Sequence, residues 1–83
     1  MKRVTVECLG AFRELGDQIQ VEVTGETFGD LRQSLESDLS QQGRTALMSV
    51  LARSAFAAGD RMVRDSDDLG DAPIAILPPV AGG

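Results

Sequence analysis

The sequence predicts an α+β fold in which a mixed sheet wraps one amphipathic helix. Two short runs of alternating apolar and polar residues come first, an apolar repeat at four-residue steps follows, and a run apolar on both faces comes near the end. Period two marks a half-buried strand, a four-residue step marks a helix stripe, and a strand apolar on both sides belongs in the interior of a sheet.

Residues 4–9 place Val4, Val6 and Cys8 on one side and Thr5, Glu7 and Leu9 on the other. Ile19, Val21 and Val23 repeat the pattern, with Gln20 and Glu22 toward water. The stretch GAFRELGD between them holds Gly10, Gly16 and Asp17 as turn formers, so the two runs read as a hairpin with a broad loop. Thr27 followed by Asp30 has the spacing of a helix N-cap and an acidic third residue, and Phe28, Leu31, Leu35 and Leu39 form one stripe. A helix over residues 28–40 is expected, stopped at QQGR by a left-handed Gly43.

TALMSVLARSAFAA can be scored as a short helix or as a helix turning into a strand. The reading taken is a helical turn over 46–51, a strand over 53–57, a turn at Gly59 and Asp60, and a short strand over 61–64. DSDDLGD is then a loop, and Ile74 and Ile76 with Ala75 and Leu77 make the last, central strand. With Pro73 unable to donate to a ladder, that strand should start at Ile74. The 83 residues form one domain, with a flexible tail over 78–83.

Several chemistries are disfavoured. The chain has no histidine, which removes the usual zinc sites and the Ser–His and Cys–His nucleophile pairs. Thirteen acidic against eight basic residues give a net charge of −5, the wrong sign for a phosphate backbone, so no nucleic-acid partner is expected. No apolar run approaches the ~20 residues of a membrane span, and the start lacks a signal-peptide pattern, so a cytoplasmic protein is expected. The single Cys8 reads as a buried strand residue rather than a reactive thiol. Asp65, Ser66 and Asp67 match the start of a calcium loop, but Leu69 and Ile76 stand where ligands are needed, so a solvated turn and no metal is the expectation. With neither a phosphate-binding motif nor a dry pocket for Asp67 and Asp68, the chain should not be an enzyme by itself and should hold no bound cofactor.

The end, ILPPVAGG, is the distinctive stretch. Pro78 and Pro79 favour a stiff, extended exit, while Gly82 and Gly83 carry no Cβ and pass where other residues clash. Extended, the residues from Pro78 onward reach about 20 Å, far enough to thread a tunnel and deliver a carboxylate to another protein's active site.

Three segments carry a resemblance. Ala11, Arg13, Glu14 and Leu15 in LGAFREL, the Thr27-capped DLRQSLE, and the terminal LPPVAGG resemble the small subunit of molybdopterin synthase (MoaD), a ubiquitin-like sulfur carrier with the β-grasp fold. The resemblance implies that Gly83 is adenylated by an activating enzyme that consumes ATP, becomes a C-terminal thiocarboxylate charged by a sulfur donor protein, and gives its sulfur to a pterin precursor. It implies that Pro79, Val80, Ala81 and Gly82 occupy a tunnel of the large synthase subunit, in a heterotetramer of two small and two large subunits. It also implies docking through the apolar outer face of the sheet, including Leu77, Phe12 and Phe56, although a core role for these three fits the residues equally. LGDAPIAI and ARSAFAAGD depart from the family pattern upstream of the tail. Sulfur carriers for thiamin, cysteine or tRNA thiolation share Gly-Gly ends, a ubiquitin-like modifier would join Gly83 to lysines, and a passive binding module would use neither glycine.

Overall fold

The computed structural model describes residues 1–79. β1 (Lys2–Cys8) and β2 (Gln18–Val23) form the expected antiparallel hairpin, with Val4 opposite Val21 and Val6 opposite Ile19. Val4, Val6, Cys8, Val21 and Val23 are buried and Arg3, Thr5 and Glu7 exposed, as alternation requires. The connection is more ordered than a broad loop. Residues Gly10–Leu15 wind into a 3₁₀ helix that turns Phe12 into the core.

α1 (Phe28–Gln41) runs one residue beyond expectation. Thr27 Oγ1 accepts from the Asp30 N–H at 3.2 Å, and Asp30 Oδ2 accepts from the N–H groups of Thr27 at 3.2 Å and Glu26 at 3.0 Å, a complete capping box. Donation by the Thr27 backbone N–H, and then by its hydroxyl, holds the Asp30 carboxyl below the usual aspartate range. At the other end Gly43 takes φ +70°, its N–H bonds to Ser40 O and the Arg44 N–H to Leu39 O, the pairing of a Schellman stop.

α2 (Thr45–Ala52) follows and buries Leu47 and Leu51. β3 (Ala55–Ala58) starts two residues later than the sequence reading, because the N–H groups of Arg53 and Ser54 are bonded to Val50 O and Leu51 O at the end of α2. β4 (Arg61–Val63) closes a short hairpin, one residue briefer than expected. β5 (Ile74–Leu77) starts at Ile74, directly after Pro73, and lies in the interior of the five-stranded sheet, whose order is β2-β1-β5-β3-β4. It runs parallel to β1 and antiparallel to β3. Leu31, Leu35 and Leu39 of α1 pack with Val6, Val21, Ile74 and Ile76 in one core.

The acidic segment 65–71 differs most from expectation. It is not simply a solvated turn, since Leu69 is buried in the core and its N–H donates to Glu26 O at 2.8 Å. The carbonyls of Asp67 and Asp65 accept from the N–H groups of Phe28 and Gly29, at 3.0 and 2.8 Å. Those are the first donors of α1, which have no partner within a helix, so the loop completes the cap that Thr27 and Asp30 begin.

Candidate functional site

The site is built around the exit from β5. Ile76 points into the core, so Ala75 and Leu77 face the other side of the sheet. On β3 the buried Phe56 sets the same phase and leaves Ala55 and Ala57 outward, where Ala55 pairs with Leu77 and Ala57 with Ala75. Met62 of β4 pairs with Ala57 and is 59% exposed. The β3–β4–β5 half of the outer face is thus apolar, whereas the β1–β2 half carries Thr5, Glu7, Gln20 and Glu22.

Of the three residues expected to dock a partner, only half-buried Leu77 lies on this face. Phe12 and Phe56 are each 1% exposed, and the docking role is withdrawn for both. Phe12 is drawn inward by the 3₁₀ helix, while Phe56 packs on Phe28 with ring centroids 5.7 Å apart and lies under the Arg32 guanidinium at 5.0 Å. Sequence reasoning missed Ala55, Ala57, Ala75 and Met62 as the companions of Leu77. The signal was the alternation through AFAA and RMV, once Phe56 is known to point inward.

Beyond Leu77 the chain passes through half-buried Pro78 to exposed Pro79. Pro78 meets the start of the 3₁₀ helix, where Gly10 adopts φ +56°. Val80, Ala81, Gly82 and Gly83, assigned above to the tunnel and the sulfur chemistry, lie outside the described residues, as does most of the tail expected to be flexible.

No protein-family model matches the chain, and no curated protein matches it significantly. Among solved structures it is similar to SAMP1 from Haloferax volcanii, with a TM-score of 0.66 over 99% of this chain and 100% of that one, at 18% identity. The fold is a ubiquitin-like β-grasp.

Elsewhere in this β-grasp, Cys8, Asp65 and Asp67 are engaged in structure. Cys8 is buried, and burial, followed by the nearby carboxylates of Asp17 and Glu7, pushes its thiol upward, away from the nucleophilic thiolate. Asp65 is paired with Arg32, and Asp67 Oδ2 accepts from the Arg64 N–H at 2.8 Å. Among the described residues no group of three or more His, Cys, Asp or Glu could hold a metal ion, and no helix is long and apolar enough to cross a membrane. An open cleft of about 280 Å³ lies between the 3₁₀ helix, β2 and α1, lined by Leu15, Ile19, Leu35 and Arg44 among others, and none of its walls belongs to the tail exit.

Proposed function

We propose that this protein is the sulfur carrier subunit of a molybdopterin synthase. The observation that carries the reading is that the interior strand of a ubiquitin-like sheet, ending at Leu77 beside an apolar half-face suited to a partner, leads directly into Pro78 and Pro79, which Val80, Ala81, Gly82 and Gly83 follow in the sequence. The Gly83 carboxylate attacks the α-phosphorus of ATP in the active site of a separate activating enzyme, and pyrophosphate leaves. A persulfide of the donor protein then displaces AMP, and a second thiol cleaves the acyl disulfide, leaving the thiocarboxylate on Gly83 and a disulfide on the donor side. The large synthase subunit receives the tail and directs the sulfur to the pterin precursor, with water restoring the carboxylate.

The likeness to SAMP1 supports a ubiquitin-like carrier or modifier in general. The two readings differ in the fate of the activated acyl group, which meets sulfur in one and a lysine amine in the other. The test is to express the chain with an intact C-terminus in its own organism and analyse it by intact-mass spectrometry. A mass in which one oxygen is exchanged for sulfur at Gly83, together with co-purification of a pterin-binding large subunit, is expected. Gly83 found only in isopeptide linkage to lysines would replace the carrier reading by the modifier one.

A further inference from the structure

We propose that Gly10 is a positioning residue for the tail: its missing Cβ lets the Pro78 ring close onto the corner between β1 and the 3₁₀ helix, and that contact sets the direction in which the chain leaves β5. The proposal rests on the sulfur-carrier reading, in which the tail must enter another protein's active site.

Register brings the two residues together. β1 and β5 run parallel with Cys8 beside Ile76, so Gly10 and Pro78, each two residues further on, occupy matching positions just past the last pair of the ladder. Pro78 has no N–H to extend that ladder, and ring packing takes the place of a hydrogen bond. A Cβ built on Gly10 would stand 2.5 Å from Pro78 Cγ, 3.4 Å from Cδ and 3.7 Å from Cβ, so its three nearest neighbours all belong to this one ring. Gly43 and Gly70 also have positive φ, yet nothing lies within 4 Å of a Cβ at either. Gly10 therefore answers to a close approach as well as to a turn.

The corner that receives the ring is anchored. Cys8 N donates to Asp17 O at 2.9 Å, Phe12 N to Leu9 O at 3.1 Å, and Phe12 is buried beneath. Pro78, with its fixed φ, is thus seated against a rigid surface, and Pro79 continues a stiff path outward. A side chain at position 10 pushes the ring away and turns the path while the core upstream stays in place.

A double-mutant cycle over Gly10→Ala and Pro78→Ala tests this, because backbone strain at φ +56° is common to both backgrounds and cancels. Alanine at position 78 retains only the Cβ, which at 3.7 Å is an ordinary contact for the new methyl group. The readouts are kcat and KM for adenylation, followed by ATP–pyrophosphate exchange with the activating enzyme of the same organism, alongside thermal unfolding by circular dichroism. Gly10→Ala is expected to lower kcat/KM by on the order of tenfold, as a small misplacement of a reacting end does. The double variant is expected to return to the level of Pro78→Ala alone. Should Gly10→Ala fail to fold, Gly10→Asn, which tolerates positive φ but carries the same Cβ, takes its place. Wild-type kinetics in Gly10→Ala, or a loss undiminished by Pro78→Ala, would overturn the positioning role. If the wild-type chain is not adenylated at all, it is the sulfur-carrier reading that fails. The seat itself is then judged by nuclear Overhauser contacts between the Gly10 α-protons and the Pro78 ring, whose absence overturns it and whose presence in wild type but not in Gly10→Ala upholds it.

Discussion

Arg32 grips Asp65 with two parallel hydrogen bonds, Nε to Oδ2 at 3.0 Å and Nη2 to Oδ1 at 2.9 Å, and its Nη1 donates to Leu51 O at 2.6 Å. One side chain on α1 thereby ties the acidic loop to the end of α2, and its guanidinium lies over Phe56 of β3. The Arg32 side chain is only 20% exposed, so these charge-assisted bonds are worth more than those of a surface pair. Arg32→Ala is expected to cost about 2–3 kcal/mol in urea unfolding. Arg32→Lys should recover less than half of that, because an ammonium cannot make the fork.

The capping box makes a prediction about acid. Asp30 has a folded-state pKa below its unfolded one, so its contribution is present above the ordinary aspartate pKa and is lost as pH falls through the depressed value. Thermal midpoints of the wild type should fall as the pH drops below the ordinary aspartate pKa of about 3.9, and those of Asp30→Asn should fall less. An unchanged slope in the variant would mean that other carboxylates govern acid unfolding. Thr27→Ala, which removes the reciprocal partner, should cost about 1 kcal/mol at neutral pH.

Leu69 is the loop's anchor in the core, and Leu69→Ala is expected to cost about 2–4 kcal/mol through lost burial and the cavity left behind. The local consequence is more specific. Amide exchange at Phe28 and Gly29, whose N–H groups bond to loop carbonyls, should accelerate more than exchange at Val6 or Val21 in the sheet.

Docking and stability should separate on the two faces of the β3–β4 hairpin. Met62→Asp alters an exposed outer-face residue and is expected to change stability by less than about 0.5 kcal/mol while, on the proposed carrier role, abolishing association with a large synthase subunit in size-exclusion chromatography. Phe56→Ala, by contrast, should cost about 3–5 kcal/mol because the ring is a core element. Retained association by Met62→Asp would move the docking surface elsewhere.

For the tail, the last buried residue among those described is Ile76, so on the proposed carrier role removing Gly82 and Gly83 should leave the thermal midpoint nearly unchanged and abolish sulfur transfer. Gly82→Val adds a branched side chain that restricts the backbone. It should likewise leave folding intact and block transfer into the large subunit; normal transfer, followed by mass spectrometry of the C-terminus, would refute threading.

Periodicities written within a few residues were legible in the sequence alone. They placed β1, β2 and α1, the Thr27–Asp30 cap, the Gly43 stop, the interior position of β5 and its start after Pro73, and the terminal motif stood out by its residue types. Each depends on local backbone geometry or on the apolarity of one short segment. The start of β3 and the inward turn of Phe12 and Phe56 depended on what α2 and the 3₁₀ helix had already claimed. Leu69 in the core, Asp65 on Arg32 and Gly10 beneath Pro78 join positions far apart in the chain. No local pattern encodes such meetings, because only the packing of the sheet around α1 brings those atoms within contact distance.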